Sequence, residues 1–567
     1  MKQIFRYIRP FTGKIAVGLL IKTTGTLMDL ALPWMLAAML DTVAPSGNKG
    51  SILFLGLMMV LAACIGISGN VIANRIASAV ARDTTRTLRS DLFAKCMSLS
   101  CSQVEHFGIP SLETRLTGDT YNIHQTVGMM QRRGVRAPIL LIGGLCFSFA
   151  MEARLALIMT AVLPLLGTGV YLISRFGRRL YVRAQAAADS MVRKVRQVCK
   201  GIRVIKAFSS QKNESEAFEA LNLGLSRAEQ RAVLTMSASN PVMTVLLNLG
   251  LTAVILTGAF LVHGGVSTAG KIIAFMSYFT IISNAMLTVT RIFTMYSKCA
   301  ASAQRISEVM DMQPDLPVCG KSDIRDDCAV SFSNVSFSYG SAKILDNISF
   351  SLKKGGCLGI VGATGSGKST MLKLCERLYD PCQGEIRVMG RDVRSYTAPQ
   401  LHALFAQVLQ NDFIFSGTVR ENICFGRDIP DDELISALKK AHAEFVLADP
   451  EGLDRILTSK GTNISGGQKQ RLLIARAIAA APPILILDDA ASALDYRTDA
   501  AIRRELADIP CTKIIATQRV SSVMQADCII VLDNGRIAAS GTHEELLARC
   551  PLYREISLSQ IGGAALE

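Results

Sequence analysis

The sequence predicts a multidomain chain: a six-helix all-α transmembrane domain followed by an α/β domain. Two observations carry this. Apolar stretches of bilayer-spanning length recur through the N-terminal half and then stop. Beyond them the chain turns to short branched-aliphatic runs, one of which leads straight into a glycine-rich loop. At 567 residues the chain is also too long for one compact core.

The first apolar stretch, Ile15–Leu40, contains Pro33. It follows a basic N-terminus, but runs too long for a signal-peptide core and reads as an uncleaved membrane helix. Ile52–Ala73 comes after the turn-rich "APSGNKG". Val135–Met151 and Leu155–Ile173 are joined tightly around Glu152–Arg154, and Val242–Val262 and Ile272–Phe293 through "HGGVSTAGK". The long connections between the second and third and between the fourth and fifth stretches are rich in Lys and Arg. The short connections carry only Lys49, Arg154 and Lys271. The positive-inside rule therefore puts both termini and both long loops in the cytoplasm. The net charge of +15 is explained by topology, not by nucleic-acid binding.

Both long loops have amphipathic helical patterning and read as extensions of the membrane helices. Each has an expected break, His106–Asp119 (around Gly108–Leu116) and Cys199–Gln211 (around Gly201–Phe208), that would present a short helix to a domain beneath. Asp29 and Arg291 fall within or near spans, where ionisable groups face a cavity or pair with each other. The 15 cysteines show no CxxC and no histidine at ligand spacing, which argues against a disulfide framework and against zinc.

The expected boundaries are a membrane domain over residues 1–310, a polar linker over 311–328, and an α/β domain over 329–567. In the last of these, Cys357–Val361 reads as a buried strand and Thr370–Leu378 as an amphipathic helix. Between them Gly362–Ser369 matches GxxxxGK[ST]. In such a loop Gly362, Thr364, Gly365, Ser366 and Gly367 bring backbone N–H groups around phosphates. Lys368 reaches the β- and γ-phosphates, Ser369 supplies an oxygen to Mg²⁺, and Thr370 opens the helix. Further on, "ILILDDAASALD" is a strand buried on both faces that ends in Asp488, able to hold Mg²⁺, and Asp489, able to orient a water.

"NISGGQKQRLLIARAIAAAPPILILDDAASALD", with Ser465, Gly466, Gly467 and Gln468 at its head, together with the upstream phosphate loop, resembles the ATPase domain of ABC transporters. "GGVSTAGKIIAFMSYF" and "SAQRISEVMD" resemble the sixth helix of ABC exporters and its exit. The resemblance covers nearly the whole chain and implies an exporter-type half-transporter in a bacterial plasma (inner) membrane, surrounded by lipid, binding ATP and Mg²⁺. It implies that Tyr339 stacks on adenine, that Gln410, rather than Gln407, touches Mg²⁺ and water, and that Asp495 is the aspartate after the Mg²⁺-binding strand. It also implies head-to-tail dimers, each ATP lying between one phosphate loop and the other chain's SGGQ. Two positions depart from the pattern: Asp489 stands where the family usually has Glu, and Gln518 where it usually has His. Ser459 is a milder departure, at a place where exporters carry an acid. The paired departures resemble the degenerate-site subunit of heterodimeric exporters, whose partner carries Glu and His. The expectation is export of a small amphipathic molecule, drug, lipid or peptide. Uptake through the same fold and an ATP-binding regulatory subunit are the alternatives.

Overall fold

The structure, a computed structural model, describes residues 2–320, 327–410 and 412–561. The side chain of Arg291 lies outside the described residues. Contacts divide the chain into two compact units: Met1–Ser98 with Gly108–Met312, and Leu99–Phe107 with Gln313–Glu567.

The first unit is helical. Its long helices are Thr12–Ala38, Lys49–Met97, Arg136–Met151, Ala153–Ala207, Ser239–His263 and Ala269–Met310. Among the described residues, five helical segments are long and apolar enough to cross a membrane, while the apolar stretch Ala153–Gly169 is shorter. Pro33 and Pro164 sit inside unbroken helices, as tolerated where neighbours and local adjustment satisfy the freed carbonyl. The first two long helices approach closely through small residues. A Cβ on Gly25 would lie 3.1 Å from the Gly66 carbonyl oxygen, so only glycine allows this spacing.

Helix Lys49–Met97 has 49 residues, about 70 Å of rise against a hydrocarbon thickness of about 30 Å. The amphipathic patterning of the long loops is thus realised as continuous helix. A turn falls inside each expected segment, at Gly108 and at residues 208–210, and one further turn precedes the first. The long helix ends at Met97 with Ser98 as its cap, and a short helix, Cys101–Phe107, follows before Gly108 (φ 75°) turns the chain. It is Leu99–Phe107, upstream of the expected Gly108–Leu116, that groups with the second unit. In the second segment Gly201 itself does not break the helix, which continues to Ala207; the break comes at residues 208–210, within the expected Cys199–Gln211. One interior glycine costs about 1 kcal/mol, too little to interrupt a long packed helix.

Two buried charges fasten the first unit. Asp119 accepts from Ser302 Oγ and Arg305 Nε, both at 2.8 Å, and Arg115 Nη1 donates to the Arg305 carbonyl at 2.6 Å. At the opposite end, Asp41 accepts the Gly270 N–H at 2.8 Å and so caps the last long helix.

The second unit contains β1 (Cys328–Tyr339), β2 (Ala342–Lys353), β3 (Cys357–Val361), β4 (Gln383–Val388), β5 (Arg391–Asp392) and β6 (Phe405–Val408). They are followed by β7 (Gly417–Thr418), β8 (Ile456–Leu457), β9 (Ile484–Asp488), β10 (Thr512–Thr517), β11 (Cys528–Asp533) and β12 (Arg536–Gly541). The main sheet has the order β12-β11-β3-β10-β9-β6, parallel from β11 to β6 with β12 antiparallel at the edge. An antiparallel sheet, β2-β1-β4-β5, packs its apolar face into the same core, where Phe332, Leu345 and Ile386 meet Ile360, Ile486 and Ile514. Every residue of β9 is buried, which accounts for its unbroken aliphatic run. The parallel strands deliver the C-terminal ends of β3, β9 and β10 to one edge, where ligands bind in such sheets.

Candidate nucleotide site

At that edge lies a cleft of about 250 Å³ lined by Tyr339, Ile344, Thr364, Gly365, Gly367, Lys368, Ser369, Thr370, Gln410, Asp488, Asp489 and Gln518. The loop after β3 contributes the glycines. Gly365 and Gly367 have φ of 83° and 106°, values that a side chain would disfavour. A Cβ on Gly362 would collide with the Leu532 carbonyl and lie 2.7 Å from Ser366 Oγ, so the loop is closed tightly behind the cleft. The helix Lys368–Cys375 starts at the cleft and turns its first N–H groups toward it.

The Lys368 ammonium is folded over its own loop, donating to the carbonyls of Gly362 at 2.7 Å and Ala363 at 2.9 Å. Burial pulls its pKa down, and the nearby Asp488 and Asp489 carboxylates pull it back up. Asp488 is buried, which raises its pKa, while a hydrogen bond from Ser369 stabilises the charged form. Asp489 follows β9 in a left-handed conformation (φ 50°), with its N–H donating to the Ala516 carbonyl at 2.8 Å. Aspartate tolerates that backbone region better than most residues. Gln518 reaches the cleft from the end of β10, and its carbonyl accepts from Gln560 Nε2 at 2.8 Å. Tyr339 stands at the mouth, edge-on to Phe337 and Tyr379, with Lys373 Nζ 5.9 Å from its ring centroid.

The other predicted residues form a second, separate feature. Ser465 caps helix Gly466–Ala479 through a reciprocal box: its hydroxyl accepts from Gln468 N–H, and the Gln468 amide oxygen accepts from Ser465 N–H at 3.0 Å. Ser465 and Gly466 are exposed, and Gly467 approaches the Ala493 carbonyl. Asp495 caps the helix Tyr496–Ala507, accepting from the N–H (2.9 Å) and hydroxyl (3.1 Å) of Thr498. These hydrogen bonds hold the exposed carboxylate below its ordinary pKa. None of Ser465, Gly466, Gly467, Gln468 and Asp495 lines the cleft of Lys368.

The comparisons agree with this geometry. The description "ABC transporter transmembrane region" matches residues 15–286, and "ABC transporter" matches residues 345–492. An "uncharacterized ABC transporter ATP-binding protein" of Mycobacterium tuberculosis is 35% identical, covering 98% of this chain and 97% of the relative.

The chain belongs to the ABC transporter family.

A second relative, YfiB of Bacillus subtilis, an uncharacterized ABC transporter ATP-binding protein, is 31% identical over 99% of both chains. The "ATP-dependent lipid A-core flippase" of Syntrophus aciditrophicus is 28% identical, covering 98% of this chain and 93% of its own. Among solved structures, a bacterial Atm1-family ABC exporter with ATP bound superimposes with a TM-score of 0.82, 24% identity and coverage of 97% and 99%. As an ABC transporter this chain is an integral membrane protein and a transport ATPase that binds nucleotide and acts as a half-transporter, dimerising with itself or with another half.

One functional neighbour went unread in the sequence. Glu376, at the end of the helix behind the phosphate loop, is almost fully buried, and burial together with Asp488 pushes its pKa up to about 8. With the Gln407 amide nitrogen turned toward it, Gln407 donates to both carboxyl oxygens at 2.7 and 2.9 Å. Gln407 therefore serves the core beneath the site, while Gln410 lines the cleft. The only signal was an acid interrupting the apolar face of "MLKLCERLY".

Proposed function

We propose that this chain is one half of a heterodimeric, ATP-driven exporter whose own phosphate-loop site hydrolyses ATP slowly. The observation that carries the reading is the joint occupancy of the cleft by Asp489 and Gln518 beside an otherwise complete set of phosphate-binding groups. Asp489 is one methylene shorter than Glu, and a displacement on the order of 1 Å at a reacting group can cost about 100-fold in rate. Gln518 can donate a hydrogen bond to a γ-phosphate but carries no positive charge. The exposed, intact Ser465–Gln468 cap is free to complete the partner's site.

The remaining residues fit a nucleotide–metal complex. Gly365 faces open space, Ser366 Oγ is buried without a partner, and Lys368 holds only carbonyl oxygens that a phosphate can replace. Ser369, Gln410 and Asp488 are the oxygen donors that would hold Mg²⁺, which supplies charge neutralisation on the β- and γ-phosphates. Tyr339 offers a ring face for adenine, and Lys368 swings from its loop to the phosphates. Asp489 orients the attacking water from a shortened reach. Asp495 sets the start of the helix that follows the signature contact. The ATPase domain and both termini lie in the cytoplasm of a plasma membrane, and the substrate is an amphipathic molecule. The flippase among the relatives supports that substrate class. ATPase assays decide the assembly: the chain purified alone should turn over weakly, and a different half-transporter should restore activity. Robust turnover by the pure homodimer would overturn the heterodimer.

A further inference from the structure

Building on the reading of this chain as a transporter, we propose that its membrane unit binds the anionic head of an amphiphile, a phosphate or carboxylate held by Arg133 and Arg136. A cavity of about 350 Å³, within the range of small-ligand sites, lies between helices Thr12–Ala38, Arg136–Met151 and Ala269–Met310. Asp29, Arg133, Arg136 and Asn284 form its polar wall, with Leu140 and Ile281 on the apolar side.

The charges in this cavity do not cancel. Arg136 Nη2 donates to Asp29 Oδ2 at 2.8 Å, and Asn70 Nδ2 donates to the same oxygen at 3.2 Å. Among the described residues that pair consumes the only carboxylate of the wall. Arg136 Nε remains buried and without a partner among the described residues. Arg133 is exposed and makes no ion pair among the described residues. Nearby on the first helix, Lys22 is only 3% exposed and faces a neutral acceptor, Asn74 Oδ1, at 3.0 Å. A structural Asp29–Arg136 bridge explains two of these charges and leaves Arg133 and Lys22 unexplained. A basic pocket between membrane helices without a matching carboxylate attracts an anionic head, and an anion in the cavity balances its charge.

The depth fits a head-and-tail ligand. From Lys49 to Asn70 the second long helix rises about 30 Å, one hydrocarbon thickness. Asn70, which shares Asp29 Oδ2 with Arg136, therefore sits toward the end of its span remote from the short loop that precedes Lys49. The apolar wall can receive the chain of the same molecule.

The test uses the full chain in neutral detergent, with the single tryptophan, Trp34, on the helix of Asp29, as fluorescence reporter. Dodecyl phosphate should bind, and dodecyltrimethylammonium should not. Arg133→Gln should weaken dodecyl phosphate about tenfold, the scale of one charge-assisted hydrogen bond. Because Arg136→Gln alone would strand Asp29, the neutral pair Asp29→Asn with Arg136→Gln is the folded control, and it too should weaken binding. Inorganic phosphate should bind far more weakly than dodecyl phosphate; equal affinity would make this a free-anion site and overturn the amphiphile. Equal binding of the alkylammonium, or unchanged affinity in both variants, would overturn the site itself. Binding is read without hydrolysis, so a chain that proves inactive still reports on the cavity. Absent binding beside intact ATPase activity would leave the transport reading standing.

Discussion

The phosphate-loop side and the signature side of the ATPase unit are built on opposite plans. The first is a recessed cleft in which Lys368, Asp488 and Asp489 offset one another's charge, and it holds both departures from the family pattern. The second is an exposed helix cap, stabilised by its own Ser465–Gln468 box and keeping the full SGGQ. A recessed site can lose chemistry and still hold a ligand. An exposed cap, on the proposed reading, acts on the partner's nucleotide. On that reading, this chain's best-preserved catalytic asset lies on the surface it presents, and its weakest in the cleft it keeps.

The largest expected effect comes from the presented side. Ser465→Arg should lower the ATPase rate of the assembled transporter about 100-fold, because it removes a helix cap and puts bulk where a γ-phosphate is received. A smaller loss than that caused by Lys368→Ala would break the comparison. Next in size, the paired change Asp489→Glu with Gln518→His should raise turnover of the pure homodimer at least about tenfold, since it restores both reach and charge. No gain would move the cause of weakness away from these two positions. In the assembled transporter Asp489→Asn should change the rate by less than about twofold, and asparagine suits the left-handed backbone there equally well. Complete loss would make Asp489 a working base and erase the asymmetry.

The smallest effect concerns Glu376 and should leave the rate nearly untouched. Its folded pKa, near 8, lies above the ordinary carboxylate value of 4.5, so the folded chain keeps a proton that the unfolded chain has released. The associated stability is complete below about pH 4.5 and drains away as pH rises toward 8. Glu376→Gln, which cannot ionise, should flatten that decline and stabilise the ATPase unit by about 1–3 kcal/mol at pH 8, with little change at pH 4.5. Thermal melts at the two pH values measure it, and parallel curves would show that Glu376 is not protonated.

The parts of the molecule legible in the sequence are those where one local rule dominates. β9 announced itself as an unbroken aliphatic run and β3 as a short apolar run leading into a glycine loop, and the glycines of Gly362–Ser369 were readable because left-handed backbone and close approach demand them. The long helical extensions were legible as patterning, and the turn at residues 208–210 lies in the expected segment, but the turn after Met97 was not legible. Gly201 sits inside a continuous helix, and the real turn after Met97 carries neither glycine nor proline. Helix ends here are settled by tertiary contacts, as when Lys95 Nζ reaches the Met312 carbonyl at 2.7 Å. The Asp29–Arg136 pair spans two helices far apart in the chain, and no periodicity could have announced it.

The segment Leu99–Phe107 has a consequence for how the protein can be taken apart. It belongs to the compact unit of residues 313–567 although it lies far upstream. Glu105 accepts from the Tyr379 hydroxyl at 2.8 Å, Gln103 Nε2 reaches the Gln313 carbonyl at 2.6 Å, and Cys101 packs against the main core. A C-terminal fragment cut at the end of the last long helix would be an incomplete object, its aromatic face near Tyr379 stripped of a cover that the chain supplied some two hundred residues earlier. The chain enters this unit, leaves it and returns, so the ATP-binding half is stitched to the membrane half by three covalent threads rather than one. A nick in any single linker would leave the other two holding.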